Sequence, residues 1–215
     1  MQRTAFIAGV ALALSLATAQ AAPADGQHDS WYLGLGAYHG KLGLHGTDID
    51  GTFATQGVTS TTSLDDSHTG WGLDIGWRYS PYFAVEGGYR DLGRFGYQST
   101  VTAPAVDIAQ GTLKARAWWV APVGYLPLND QWSLFGKAGI TRVAADFSAA
   151  SDGTIATGET SHDNTGWLFG VGTQYDFNRN WYGRLEWDRF GKVGDTNTGG
   201  RTDIDQVGVS VGMRF

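Results

Sequence analysis

The chain has 215 residues, of which 32 are Gly, 9 Trp, 9 Tyr, 10 Phe and none Cys, and its formal net charge is −6. Glycine at about twice its usual share, without a Gly-X-Y period or a low-complexity tract, excludes collagen and disorder. The missing cysteine excludes disulfide frameworks and thiolate metal sites, and the negative charge argues against a nucleic-acid partner, which selects clustered Lys and Arg.

Residues 1–21 read as an export signal. Arg3 opens it, Ala5 to Ala17 is an apolar run, and Ala19-Gln20-Ala21 supplies the small-x-small cleavage pattern. Residues 22–215 then form one domain. No later apolar run approaches the ~18 residues of a membrane helix.

From Trp31 onward the chain has a period of two, which places alternate side chains on opposite faces of strands. Trp31, Leu33, Leu35 and Ala37 alternate with Gly34 and Gly36. Trp71, Leu73, Ile75, Trp77 and Tyr79 oppose Gly72, Asp74, Gly76 and Arg78, and Phe83, Val85 and Tyr89 oppose Glu86, Gly88 and Arg90. A fourth run is read with Leu113, Ala115, Ala117, Trp119, Ala121 and Val123 on the apolar face and Lys114 and Arg116 on the polar one. Trp132, Leu134, Ala138 and Ile140 oppose Ser133, Lys137 and Thr141. Trp167, Phe169, Val171, Tyr175 and Phe177 oppose Gly170, Gly172, Gln174 and Asp176. Trp181, Leu185 and Trp187 oppose Arg184, Glu186 and Asp188, and Val207 to Phe215 opposes Gln206 to Arg214. Short turns at 80–82, 127–130 and 178–180 alternate with long polar stretches at 41–68, 95–110, 146–164 and 191–203, predicted as loops. The pattern predicts an all-β, eight-stranded antiparallel up-and-down barrel with both termini at the tight-turn end.

Two barrels share that pattern. A lipocalin-type barrel turns its apolar face inward around a ligand, whereas a membrane barrel turns it outward to lipid. Glycine separates them: Gly34, Gly36, Gly72, Gly76, Gly88, Gly139, Gly170, Gly172, Gly208 and Gly212 all fall on the charged face. Inside a narrow barrel such glycines make room for long charged side chains, while on an exterior face they would only weaken the sheet. Aromatic residues also gather toward two rims. Trp31, Tyr79, Phe83, Tyr125, Trp132, Phe177, Trp181 and Phe215 fall at one, and Trp71, Trp167 and Trp187 at the other, as membrane girdles do. Asp74, Arg78, Glu86, Arg90, Arg116, Lys137, Arg184, Glu186 and Asp188 are therefore expected in the lumen.

Trp31-Tyr32, the run Glu86 to Arg94, Arg184-Leu185-Glu186-Trp187 and the ending Gly208 to Phe215 resemble the outer-membrane protein A transmembrane-domain family over nearly the whole mature chain. The resemblance implies a Gram-negative outer membrane and contact with its lipid and lipopolysaccharide. It also implies an assembly signal at Val211, Met213 and Phe215 for the barrel-assembly machinery. Family members often add a peptidoglycan-binding domain; this chain is not predicted to bind peptidoglycan.

Buried charges must pair. Asp74, Arg78, Glu86, Arg116, Lys137, Arg184 and Glu186 are expected to form a lumen ion-pair network, read as a structural plug or as a gate. The resemblance implies the gate: Glu86 and Arg184 match its positions, and Lys137 stands where the family has a basic residue. Pro122 and Gln174 stand where the family has a lysine and a glutamate. Pro122 also removes a ladder hydrogen bond, which calls for a bulge. A lipid-modifying enzyme would need a His near a Ser and a carboxylate. Of His28, His39, His45, His68 and His162, four are instead read as lying near the loop end or in loops, and the adjacent pairs Ser67-His68 and Ser161-His162 make no triad. No cofactor or metal is expected. The long loops leave adhesion as an alternative, with their acidic residues Asp48, Asp50, Asp65, Asp66, Asp146, Asp152, Glu159 and Asp163 disfavouring heparin-like polyanions. The first reading is envelope integrity with at most narrow, porin-like passage of small solutes.

Overall fold

A computed structural model describes residues 30–43, 46–55, 57, 59–103, 107–151, 158–193 and 202–215. The export signal read at 1–21 lies outside the described residues, as do His28 and His45 and part of the long stretches. The chain order is β1 (Ser30–Leu42), α1 (Gly46–Thr55), β2 (Thr59–Asp65), β3 (Ser67–Arg78), β4 (Phe83–Ala103), β5 (Asp107–Pro127), β6 (Trp132–Ser151), β7 (Gly158–Asp176), β8 (Trp181–Val193) and β9 (Thr202–Arg214). Both β2 and β3 pair with β4, end to end across Asp66, so nine segments make eight staves. Neighbours are antiparallel throughout, β1 pairs with β9, and the β4–β5 pairing closes the sheet. At the seam the Phe215 N–H donates to the Trp31 carbonyl at 3.0 Å, so the last strand meets the first at the tight-turn end.

The three tight turns share one device, a side-chain oxygen that caps the amides two and three residues on. Ser80 Oγ accepts from Tyr82 and Phe83, Asn129 Oδ1 from Gln131 and Trp132, and Asn178 Oδ1 from Asn180 and Trp181.

The period of two becomes an inside and an outside. Trp31, Leu35, Ile75, Phe83, Ile140, Phe169 and Val209 face out, while Asp74, Glu86, Lys137, Arg184 and Glu186 are buried within. In a lipid bilayer the outward apolar surface is solvated, whereas in water each such side chain would forgo about 1.5–3 kcal/mol of burial. The staves exceed the ~9–11 residues a tilted membrane strand needs.

The fourth run corrects its expected faces. Ala115, Ala117, Trp119, Ala121, Val123 and Tyr125 point inward and are buried, while Lys114, Arg116, Trp118, Val120 and Pro122 point outward. This strand is apolar on both faces over its lower half, so alternation carries no sign there. Its alanines serve inside, where side chains only just fit. Tyr125 accordingly leaves the rim girdle, and Arg116 leaves the lumen.

The long stretches 95–110 and 146–164 are mainly strand rather than loop. β4 and β5 stay paired to Val101↔Asp107, and β6 and β7 to Ala149↔Gly158, which makes a hydrogen-bonded wall at the loop end. The stretch 41–68 contains α1, which the polar composition did not announce. Pro122 faces outward without a bulge. β5–β6 pairing lapses between Val120↔Ile140 and Val123↔Lys137 and resumes in the same register.

α1 is tied to the wall through Asp50, whose carboxylate accepts from Ser60 Oγ and Thr62 Oγ1 at 2.7 Å each and from the Thr62 amide at 3.2 Å. The Thr62 hydroxyl, with Ser60 beside it, holds this carboxyl below the usual carboxylate range. A lowered value means that the tie is intact at neutral pH and is lost as pH falls below about 4 through that value. Protection factors of α1 amides, corrected for the intrinsic pH dependence of exchange, are expected to fall on acidification while those of barrel amides stay high. Asp50→Asn should abolish that pH dependence.

Candidate functional site

The inward register of β8 passes through the whole interior: Tyr182, Arg184, Glu186, Asp188, Phe190. Those residues mark three layers. At the tight-turn end Tyr32, Ala84, Val123, Tyr125, Phe135 and Tyr182 pack together. At the loop end Leu42, Leu92, Phe95, Trp119, Val143, Leu168, Phe190 and Ile204 form a second apolar cluster. The charges lie between them.

Two cations organise the middle layer from opposite sides. Arg184 donates to Glu86 at 2.6 Å, to Gln174 at 3.0 Å and to the Tyr125 hydroxyl at 2.5 Å. Its guanidinium is ringed by Tyr32, Phe135 and Tyr182 at 5.0–5.2 Å. Arg90, with no exposed surface, lies 3.2–3.5 Å from Asp74, Glu186 and Asp188 and 3.5 Å over the centroid of the Tyr38 ring. Lys137 joins the two halves, reaching Glu186 at 2.8 Å, Asp188 at 3.1 Å and Glu86 at 4.0 Å. Two tyrosines complete the acceptors. Tyr32 donates to Glu86 at 2.7 Å and Tyr38 to Glu186 at 2.6 Å.

The glycines on this face are spaces for those rings. A methyl built on Gly208 would fall on the Tyr38 ring, and one on Gly212 on the Tyr182 ring.

Of the residues read as a network, Asp74, Glu86, Lys137, Arg184 and Glu186 come together. Arg78 stands apart at the tight-turn mouth, where it donates to the carbonyls of Ser80 and Pro81 and lies 4.0 Å over the Tyr125 ring. Arg116 is outside, paired with the exposed Asp146 at 3.1 Å. Arg90 and Asp188, read as lumen charges but left out of the network, are at its centre. Tyr32 and Tyr38 went unread, although they share the register of Gly34 and Gly36; that register was the available signal. Gln174 supplies a neutral acceptor to Arg184 at 3.0 Å.

The network is a set of mutually paired ions, in which Arg90 Nε and Nη1 and Glu86 Oε1 are buried without a hydrogen-bond partner. It offers no activated nucleophile among the described residues, and His39 lies apart from it, meeting Thr69 at 3.0 Å on the exposed face. The side chain of His162 lies outside the described residues.

Comparison with known proteins agrees with the architecture. The model of the outer membrane protein beta-barrel domain matches residues 9–215. Outer membrane protein A of Serratia marcescens is 30% identical over 220 residues, and that of Salmonella typhi 31% over 218. Each match takes in 100% of this chain and 56% of the relative. The chain thus spans about half the length of these relatives. Neisserial surface protein A shares the fold with a TM-score of 0.55 at 13% identity, covering 86% of this chain and 97% of that one.

Proposed function

Because the chain belongs to the outer membrane protein beta-barrel domain family, we propose that it is a wall protein of the Gram-negative outer membrane that supports envelope integrity, with a lumen closed at rest. Its place in the outer membrane follows from the family; the role is our reading. The observation that carries it is the layering. A water path would have to pass the Tyr32–Tyr125–Phe135–Tyr182 layer, the paired ions, and then the Leu92–Trp119–Phe190 layer. Opening the ion pairs alone would leave two apolar seals in place. A gate that works by forming an alternative ion pair therefore gives at most narrow passage.

In planar bilayers the mature barrel is expected to hold a closed baseline, and Glu86→Gln should leave it closed. Frequent, well-resolved steps in the wild type would overturn the reading. Cells lacking the protein should become more sensitive to detergent. We further propose that Val211, Met213 and Phe215, which share the outward face of β9 and its end, are read by the assembly machinery. Phe215 is 66% exposed, which supports that role. No catalytic, cofactor or nucleic-acid role is proposed.

A further inference from the structure

The buried layer between the two apolar clusters does not balance its formal charges. Asp74, Glu86, Glu186 and Asp188 meet Arg90, Lys137 and Arg184, and no other acidic or basic side chain is buried among the described residues. Four carboxyl groups against three cations leave one negative charge unmatched, in a place where an unpaired ion is costly. The next cations on the inward face lie at the tight-turn mouth. Arg78 stands there over the Tyr125 ring, and Arg214 is paired with Asp176 at 2.6 Å.

The hydrogen-bond donors locate the excess. Glu186 accepts from Tyr38 at 2.6 Å and from Lys137 at 2.8 Å, and Glu86 accepts from Arg184 at 2.6 Å and from Tyr32 at 2.7 Å. A guanidinium Nη2 carries two hydrogens, and those of Arg90 go to Asp188 at 3.2 Å and Glu186 at 3.5 Å. Asp74 Oδ1 stands 3.3 Å from that nitrogen and accepts no hydrogen bond. Asp74 Oδ2 lies 3.3 Å from the Tyr38 hydroxyl. That hydroxyl has a single hydrogen, and the shorter contact directs it at Glu186. An ionised Asp74 would thus be a buried anion without a donor, its Oδ2 set against a lone pair of the Tyr38 oxygen. One proton on Oδ2 removes both faults, because it donates to Tyr38 Oη and brings the layer to neutrality. Carboxyl groups crowded into one dry site keep a proton for this reason.

We propose that Asp74 is a proton-binding site of the folded barrel. At neutral pH it is a carboxylic acid whose Oδ2–H donates to Tyr38 Oη, while Tyr38 Oη–H donates to Glu186 Oε1. The relay ties β3 to β1 and, across the interior, to β8. Charged and titratable groups face Asp74 from four other staves: Tyr38 on β1, Glu86 and Arg90 on β4, Lys137 on β6, and Tyr182, Glu186 and Asp188 on β8. The two cations among them, Arg90 and Lys137, are both shared with Glu186 and Asp188. Loss of the proton to water at alkaline pH puts a fourth anion in the layer and turns the Tyr38 contact repulsive. The site does not depend on whether the lumen conducts.

The test is infrared spectroscopy of the barrel at neutral pH in vesicles of ether-linked phosphatidylcholine, which has no ester carbonyl. Isotope labelling of the aspartate carboxyl carbons should reveal the carbonyl stretch of one protonated, buried acid, and Asp74→Asn should abolish it. Tyr38→Phe removes the acceptor, so the band should move to higher wavenumber, as it does for an acid without a hydrogen bond. A second measurement needs only the wild type and Asp74→Asn, unfolded reversibly by urea in the same vesicles. The folded chain holds a proton that the unfolded chain sheds above about pH 4. Relative to Asp74→Asn, the wild-type unfolding constant should therefore rise about tenfold per pH unit from there until Asp74 ionises in the fold. No aspartic acid band in the wild type, a band that Tyr38→Phe leaves in place, or a ratio of unfolding constants flat above pH 4 would each overturn the proposal. So would a band that appears only when sodium is replaced by choline, since a bound cation would then hold the place of the proton.

Discussion

Arg90→Met is expected to destabilise the barrel by about 3–5 kcal/mol, the cost of stripping one partner from a buried ion cluster. Three carboxylates converge on this guanidinium within 3.5 Å, and Lys137 already serves two of them together with Glu86. Without Arg90, Asp74 has no cation within ion-pair range among the described residues, while Glu186 and Asp188 share a single ammonium. The Tyr38 ring also loses the charge stacked on it. Reversible urea unfolding in lipid vesicles measures the loss. The mechanism makes a second demand: adding Asp74→Asn and Asp188→Asn to Arg90→Met should recover a large part of it, since the damage lies in uncompensated charge rather than in lost packing. If Arg90→Met unfolds at the wild-type midpoint, or if the Asn changes make matters worse, the cluster does not hold the barrel together in this way. Buried ion pairs in other settings can be replaced by apolar groups without loss, so recovery in the triple variant is the informative arm.

The sequence made most of this visible because a barrel with one lipid-facing side converts alternation directly into inside and outside. Seven of the eight staves read correctly, since each sets large apolar side chains against Gly or a charge. The β5 stave did not, because Ala115 to Val123 and Trp118 to Val120 are apolar in both registers. Only its neighbours on the closed sheet decide which set turns inward, and those pairings are non-local. The same limit hid the centre of the network. Arg90 and Asp188 were legible as inward charges, but their convergence with Asp74 across the barrel depends on how staves far apart in sequence face one another. Composition likewise failed at 95–110 and 146–164. Ser, Thr and Gly suggested loops there, yet ladder pairing with neighbouring staves holds the described residues 95–103, 107–110, 146–151 and 158–164 as strands, an override of local preference by tertiary context.

Gly208→Ala should cost about 3 kcal/mol, far more than a methyl group ordinarily does. Tyr38 is confined on several sides: its hydroxyl donates to Glu186 at 2.6 Å, the Arg90 guanidinium covers one part of the ring, and the bare backbone of Gly208 lies against another. A Cβ there cannot be absorbed by a small ring shift without loosening the Glu186 hydrogen bond or the Arg90 stack. Overpacking at about 1–3 kcal/mol and a weakened hydrogen bond to a buried charge at about 1.5–3 kcal/mol therefore act together. Gly124→Ala is the matched comparison. That glycine faces lipid, the nearest atom to an added methyl is 4.0 Å away, and the change should be neutral. The coupling can be read in a double-mutant cycle. Tyr38→Leu is damaging alone, but in its presence Gly208→Ala should become nearly free, because the atoms that collide are gone. Should Gly208→Ala prove as mild as Gly124→Ala, or should its cost persist beside Leu at position 38, the glycines of the inward face do something other than make room for the rings that hold the ions in place.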